Sequence, residues 1–209
     1  RSLRSAVDEE GDRIFFRGRY DYQKILRETS HKIASLIRLE ELTRLMVASF
    51  IDTMKISEIS FLIKDRERGR FRSVPVETAQ AGLSRYKRIE LNEESPIVAW
   101  LNKNQDILVR DELKDETEVA EEMDRLGVSL WVPIISQDEL IGIISLGNKL
   151  SGDIFTSEDI GLLQTLANQT AVALLNARLF EEVVTMKDYN EEILNSMVSG
   201  VLTCDIRGK

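Results

Sequence analysis

The stretch VSLWVPIISQDELIGIISL, residues 128–146, decides the class of fold. Residues 128–135 and 139–146 are two runs rich in Val and Ile, and the short polar segment 136–138 separates them. β-Branched residues favour strands, so two such runs around a polar turn predict a β-hairpin that is buried on at least one face. We therefore expect this hairpin at the centre of a sheet.

Strand-like alternation of apolar and polar residues recurs upstream of the hairpin. Ile59, Phe61 and Ile63 alternate with Ser60, Leu62 and Lys64, and the polar run 65–69 predicts a turn into the next strand. The predicted strands before the central hairpin are therefore 59–64, 71–76, 86–91 and 107–109.

Helical signals separate and flank these strands. Residues 20–55 lack Pro and Gly, and their apolar residues recur at helical spacing, with a junction near residue 38. Ser95 and Pro96 open a helix through 104, and Gly127 ends an acidic helix over 115–126. A long helix begins at Ser157, with no Pro or Gly between 162 and 197. The pattern predicts an α+β fold, an antiparallel sheet with helices packed on it.

Composition excludes several classes of function. The formal net charge of -8 argues against a nucleic-acid partner, which requires a basic surface. Cys204 and His31 are the only residues of their types, so a disulfide within the chain and a structural zinc site are both ruled out. A catalytic triad or dyad would depend on His31, which lies in a helical segment. We therefore expect no metal, no cofactor and no catalysis by the chain itself.

The N-terminal residues leave two interpretations open. Arg13, Arg17 and Arg19 surround Phe15 and Phe16, as at a solvated helix start or just inside a membrane. No run of about 18 apolar residues occurs, so no membrane span is predicted. Because the chain starts at Arg1 and ends in mid-pattern, we expect a cytoplasmic fragment of a larger protein, which an upstream membrane domain could anchor.

A set of motifs in the second half resembles a GAF domain. The residues are VPI (132–134), LIGIISLGN (140–148), FTSED (155–159), LLQTLANQTAVA (162–173) and NAR (176–178). The resemblance covers residues 39–178 and implies a GAF-like antiparallel central sheet flanked by helices, with long N- and C-terminal helices.

Residues 190–208 resemble the opening of a PAS domain. A helix, a GAF domain and a PAS domain in this order are similar to the input region of a bacterial sensor histidine kinase. The implied divisions are a juxtamembrane-like or linker segment (1–19), a signalling helix (20–38), the GAF domain (39–178), a coiled-coil linker helix (179–192) and a truncated PAS start (193–209).

The resemblance implies a sensory module that relays a signal to a downstream PAS and kinase-type output domain. The alternative is a small-molecule-binding, allosteric GAF domain of a cyclic-di-GMP enzyme or a transcription activator, including a cyclic-nucleotide binder. A redox or metal sensor is a further class, although residues 39–178 contain neither the Cys that bilin attachment needs nor a His for haem or iron.

Two sets of residues are candidates for a ligand site. Asn148, Lys149, Phe155 and Asp159 match part of a cyclic-nucleotide motif, but Ile160 replaces its Glu, so these four are expected to staple the loop to the helix. The candidate lining of a pocket for an unknown small ligand is Phe61, Trp100, Val109, Met123, Leu130 and Val132, with Arg72, Arg85 and Arg88 at its rim. Ordinary core packing is the competing interpretation of the six.

The flanking helices predict a parallel homodimer. Residues at coiled-coil spacing in the N-terminal helix are Tyr22, Ile25, Thr29, Ile33 and Leu36. In the C-terminal helix the predicted stripe is Ala173, Ala177, Phe180, Val184 and Leu194, interrupted by Lys187 and Glu191. Such an interrupted stripe suits a coiled coil whose packing can shift.

Overall fold

The computed structural model describes residues 39–65, 67–75, 85–114 and 117–196. The described helices are α1 (Leu39–Met54), α2 (Pro96–Asn104), α3 (Glu118–Leu126) and α4 (Ser157–Ser196), with a 3-10 turn at Arg110–Glu112. The strands are β1 (Glu58–Asp65), β2 (Arg70–Ser73), β3 (Arg85–Tyr86), β4 (Glu90–Asn92), β5 (Leu108–Val109), β6 (Leu130–Ser136) and β7 (Glu139–Leu146). The predicted signalling helix 20–38 lies outside the described residues.

The strands form one sheet in the order β4-β2-β1-β7-β6-β5. Neighbours along this order pair antiparallel, and β3 adds to β1 as a short parallel strand. The α+β class and the helix-flanked sheet are therefore confirmed. The hairpin β6–β7 lies inside the sheet, as its apolar composition predicts.

The turn between β6 and β7 has the backbone of a type I′ turn but lacks the Asn-Gly or Asp-Gly pair that this turn usually contains. Gln137 and Asp138 both have positive φ, 51° and 61°, which is the backbone of a type I′ turn. In β7, a Cβ added at Gly142 would lie 2.9 Å from the carbonyl oxygen of Leu62. Gly142 therefore permits the close approach of β7 to β1.

Helices cover both faces of the sheet and enclose two hydrophobic cores. On one face α1 and α4 pack against alternate strand residues, such as Ile59 and Phe61 of β1. On the other face α2 and α3 pack against the intervening residues, such as Leu62 of β1 and Trp131 of β6. Burial on both faces explains why the central strands are apolar throughout instead of alternating.

The strand predicted over 86–91 is wrong as a single element. Its residues form β3 and β4, because the chain crosses from β1 to β2 between them. The backbone of Lys87 is held at the crossing, where its carbonyl accepts from the hydroxyl of Ser60 and its N–H donates to Ile59 O over 3.0 Å. The hydroxyl of the half-buried Tyr86 donates to Val74 O, which fixes the other side of the crossing.

Candidate functional site

The six candidate pocket residues do not line one cavity. Phe61, Leu130 and Val132 are fully buried in the core beneath α1 and α4, and Val109 packs against that core. Met123 is buried in the opposite core beneath α2 and α3, and Trp100 packs against it. The sheet separates the two groups, since adjacent strand residues point to opposite faces. Their predicted grouping as one lining is corrected.

The face beneath α2 and α3 contains a buried polar contact between the two helices. Glu122 of α3 accepts from the hydroxyl of Ser95 over 2.6 Å and from the N–H of Ile97 over 3.1 Å. Ser95 also accepts from the N–H of Val98 as the N-cap of α2. The carboxylate thus satisfies the N–H of Ile97 at the positive end of α2, and its bond to Ser95 joins α3 to the N-cap of that helix.

Trp131 lies beneath these helices with its side chain fully buried. Its Nε1 has no hydrogen-bond partner among the described atoms. Ile97, Val98, Leu101 and Met123 fill the same core, so apolar side chains occupy the space under α2.

A cleft of about 480 Å³ opens where β1, β2 and the chain before β4 meet. Arg72 and Arg88, two of the three predicted rim arginines, lie in its wall together with Lys64. Asp65 and Glu90 lie in the same wall, and Arg72 Nε is 3.8 Å from Glu90 Oε2. Because the carboxylates offset the cations, the cleft does not select strongly for an anion.

Glu90 itself is held in its charged form by a neighbouring arginine. Arg70 Nη1 lies 2.5 Å from Glu90 Oε1, and this hydrogen bond lowers the pKa of the Glu90 carboxyl. Both groups are well exposed, so the pair contributes little to stability.

The loop before α4 is built around Asp159, which is 1% exposed in its side chain. Asp159 Oδ2 accepts from Lys149 Nζ over 2.5 Å and from Thr156 N over 2.6 Å. The N–H of Asp159 donates back to Thr156 Oγ1, which completes a capping box with Thr156 as N-cap. Lys149 Nζ also lies 5.4 Å from the centre of the Phe155 ring.

Asn148 ties the same loop to the sheet. Its carbonyl accepts from Ser57 N over 2.8 Å and its side chain accepts from the hydroxyl of Ser129 over 2.6 Å. The four predicted staple residues are therefore brought together around the start of α4, while the six pocket residues are not.

The 40-residue helix α4 has two different halves. Up to Ala177, residues such as Leu163, Leu166 and Leu174 belong to the core against the sheet. From Leu179 to Ser196 every residue is exposed, and the described residues outside α4 do not cover them. At 1.5 Å per residue, this second half extends roughly 27 Å beyond the domain.

The predicted dimer stripe falls partly in the first half. Ala173 and Ala177 are each 2% exposed, because they pack in the core of their own domain. They have no surface to offer a second copy, so their assignment to the interface is corrected. Phe180, Val184 and Leu194 are exposed on the projecting half. Tyr22, Ile25, Thr29, Ile33 and Leu36 lie outside the described residues.

Within the described part of the chain, no His, Cys, Asp and Glu side chains gather into a group that would hold a metal ion. None of the described helices combines the length and the hydropathy that crossing a membrane requires.

Signalling proteins from other organisms match parts of the chain in sequence. Diguanylate cyclase A of Treponema denticola is 25% identical over 99 residues, which are 46% of this chain and 27% of that protein. Hybrid signal transduction histidine kinase G of Dictyostelium discoideum is 39% identical over 54 residues, 26% of this chain and 2% of that protein. The chain thus spans a minor part of both relatives.

The fold is shared with solved structures. The GAF domain from a phosphoenolpyruvate-protein phosphotransferase of Coxiella burnetii superposes with a TM-score of 0.60. The two are 21% identical, and the superposition covers 77% of this chain and 96% of that one. The GAF domain family model matches residues 37–175, about two thirds of the 209 residues. With the helix-flanked sheet described above, this match shows that the chain belongs to the GAF domain family.

Proposed function

We propose that the chain is the sensory or regulatory module of a signal-transduction protein and that it acts as a homodimer. The observation that carries the proposal is α4, one uninterrupted helix that is half domain core and half exposed projection. A rigid element of this kind transmits a displacement of the domain to whatever follows it. Its exposed apolar residues, among them Phe180 and Leu194, are the surface on which a second copy packs.

The parent protein is proposed to be a sensor histidine kinase located in the cytoplasm or anchored at the inner face of the membrane. The names of the two relatives, a diguanylate cyclase and a hybrid histidine kinase, support a role in signalling. Residues 193–209, which include the last turn of α4, would then begin a PAS domain, and catalysis would belong to an output domain and not to this module.

The proposed mechanism is a shift between two arrangements of the paired helices. A ligand, or motion from an upstream domain, favours one arrangement by its differential free energy of interaction with the two. The Asp159 capping box and the Lys149 ion pair join the sheet to the start of α4. A change in the sheet therefore moves α4 as a unit, and the projecting half carries the movement onward.

Sedimentation velocity over a dilution series from about 100 µM to 1 µM tests the dimer. We expect twice the 23.9 kDa mass of the chain at the upper end, with dissociation on dilution. A single 23.9 kDa species throughout would contradict the proposal.

A small-molecule-binding role is the second candidate, and the 480 Å³ cleft favours it. Volumes of about 300–1,000 Å³ are usual for ligand sites. Native mass spectrometry of protein purified without denaturation distinguishes the two roles. A defined added mass that Arg88→Ala removes would support a ligand sensor, whereas a dimer of unmodified mass supports a relay of motion.

A further inference from the structure

From the end of its core half onward, α4 carries a second, largely apolar stripe, distinct from the predicted one. It consists of Asn176, Leu179, Val183, Met186, Asn190 and Ile193, which we call the 176–193 stripe. The spacings alternate between three and four, the pattern of the a and d positions of a coiled coil. Asn176, Val183 and Asn190 take the a positions, and Leu179, Met186 and Ile193 take the d positions.

The 176–193 stripe is exposed and faces away from its own domain. Val183 and Met186 are 65% and 66% exposed. At about 100° per residue, the stripe is centred on roughly the opposite side of α4 from the core face formed by Leu163, Leu166 and Leu174. A second helix can therefore pack along the stripe without displacing the domain.

Resting on the proposed function, we propose that this stripe is the homodimer interface, with the two copies of α4 parallel and in register. The two Asn residues carry the argument for a second copy of this chain. They occupy a positions 14 residues apart, and a buried Asn at an a position specifies register because it needs a polar partner. Only a parallel pair of identical helices in register places each Asn beside its counterpart.

Charge complementarity gives the same orientation. Glu182 precedes an a position and takes a g position, and Lys187 follows a d position and takes an e position. In a parallel dimer each g residue lies near the e residue five positions later in the partner helix, so Glu182 meets the Lys187 of the other copy. An antiparallel pair would place e beside e and g beside g, which leaves this attraction unused.

The flanking apolar residues and the existing ion pair are compatible with this arrangement. The other g-to-e pairs are Leu175 with Phe180 and Tyr189 with Leu194, both apolar contacts that widen the interface. Within one chain Lys187 Nζ lies 3.4 Å from Glu191 Oε1, and both side chains are well exposed. Exchanging such a pair for an interhelical one costs little.

Cysteine cross-linking of the full 209-residue chain in a Cys204→Ser background tests the register. Val183→Cys and Met186→Cys place thiols at a and d positions, while Val184→Cys is the matched control one residue from the stripe. A disulfide requires Cα atoms within about 7 Å, which only residues facing the partner satisfy. Under mild oxidation we expect covalent dimer from the first two variants and at least ten times less from Val184→Cys.

A charge exchange tests the orientation. We expect Glu182→Lys to raise the dissociation constant of the dimer roughly 3- to 30-fold, since two symmetric pairs change from attraction to repulsion. The double variant Glu182→Lys, Lys187→Glu should restore the constant, because the charges are complementary again.

The outcomes separate this inference from the proposed function. A dimer that cross-links through Val184→Cys and not through Val183→Cys overturns the stripe and leaves the dimeric relay standing. A dimer that the charge exchange does not rescue overturns the parallel register. A monomeric chain overturns the homodimer itself, and the occupant of the stripe is then residues 1–38 or another protein.

Discussion

Replacing Asp159 with Asn should destabilise the domain more than any change at a neighbouring surface position. Asn has nearly the size of Asp, so the substitution removes the charge and leaves the packing intact. Asp159 is 1% exposed and Lys149 is 12% exposed in their side chains, so the lysine loses its counter-ion in a site that water reaches poorly. The cap at Thr156 is partly kept, because the amide oxygen of the new asparagine can still accept a hydrogen bond from the N–H of Thr156.

The magnitude follows from these contacts. Removing one partner of a buried ion pair costs about 3–5 kcal/mol. The retained hydrogen bond to Thr156 reduces the loss by about 1 kcal/mol, the usual contribution of a cap. We therefore expect Asp159→Asn to lower the free energy of unfolding by about 2–4 kcal/mol. Lys149→Met in the same background should recover part of this loss, because no unpaired ammonium then remains.

Urea unfolding followed by tryptophan fluorescence measures the effect, since Trp131 is fully buried in the fold. All variants are compared at one protein concentration, because dimerisation would otherwise contribute to apparent stability. Glu158→Gln is the matched control, an exposed carboxylate in the same helical turn. A loss for Asp159→Asn below about 1 kcal/mol, or equal to that of Glu158→Gln, would refute the assignment of Asp159 as the centre of the loop.

Three further predictions concern the sheet and its helices. Burial raises the pKa of the Tyr86 hydroxyl above its ordinary value near 10, so the neutral hydroxyl stabilises the fold below about pH 10 and this stabilisation is lost as the pH rises further. In thermal melts at pH 9–11, Tyr86→Phe should therefore reduce the fall in melting temperature with rising pH. Gly142→Ala should lower the urea midpoint, because its Cβ would meet Leu62 O at 2.9 Å, whereas Gly161→Ala should raise stability by about 0.5–1 kcal/mol, since it lies in α4 with nothing within 4 Å. Glu122→Ala should lower the free energy of unfolding by about 1–3 kcal/mol, because it leaves buried donors at the start of α2 unpaired. A variant with wild-type stability in calorimetry would contradict that role.

Local chemistry made most of the fold predictable. The hairpin β6–β7 follows from its composition, and α2 follows from Ser95 and Pro96 at its start. Gly127, with φ 59°, ends α3 where the sequence predicts. The division of 86–91 into two strands was not predictable, because it depends on the long-range contacts of Lys87 with Ser60 and Ile59.

The candidate site residues were likewise predictable only where their contacts are local in sequence. The contacts of Lys149, Thr156 and Asp159 are close in sequence, so their spacing predicts their proximity. The pocket residues come from several distant elements, and which face of the sheet each one occupies depends on register. A shift of one residue moves a side chain to the other face, so apolar composition alone cannot group Phe61 with Met123.

The C-terminal helix shows how one sequence holds two stripes with different tasks. The regular series that includes Ala173 and Ala177 is the core face of the domain, because small residues allow α4 to lie close to the sheet. Continued beyond the domain, that series meets Lys187 and Glu191, which suit solvent. The 176–193 stripe begins where the core ends and contains Asn at two of its six positions. Each Asn lowers the stability of a coiled coil while fixing its register. A dimer held in this way stays aligned yet only weakly closed, which is the condition under which a small change in the domain can shift the helices.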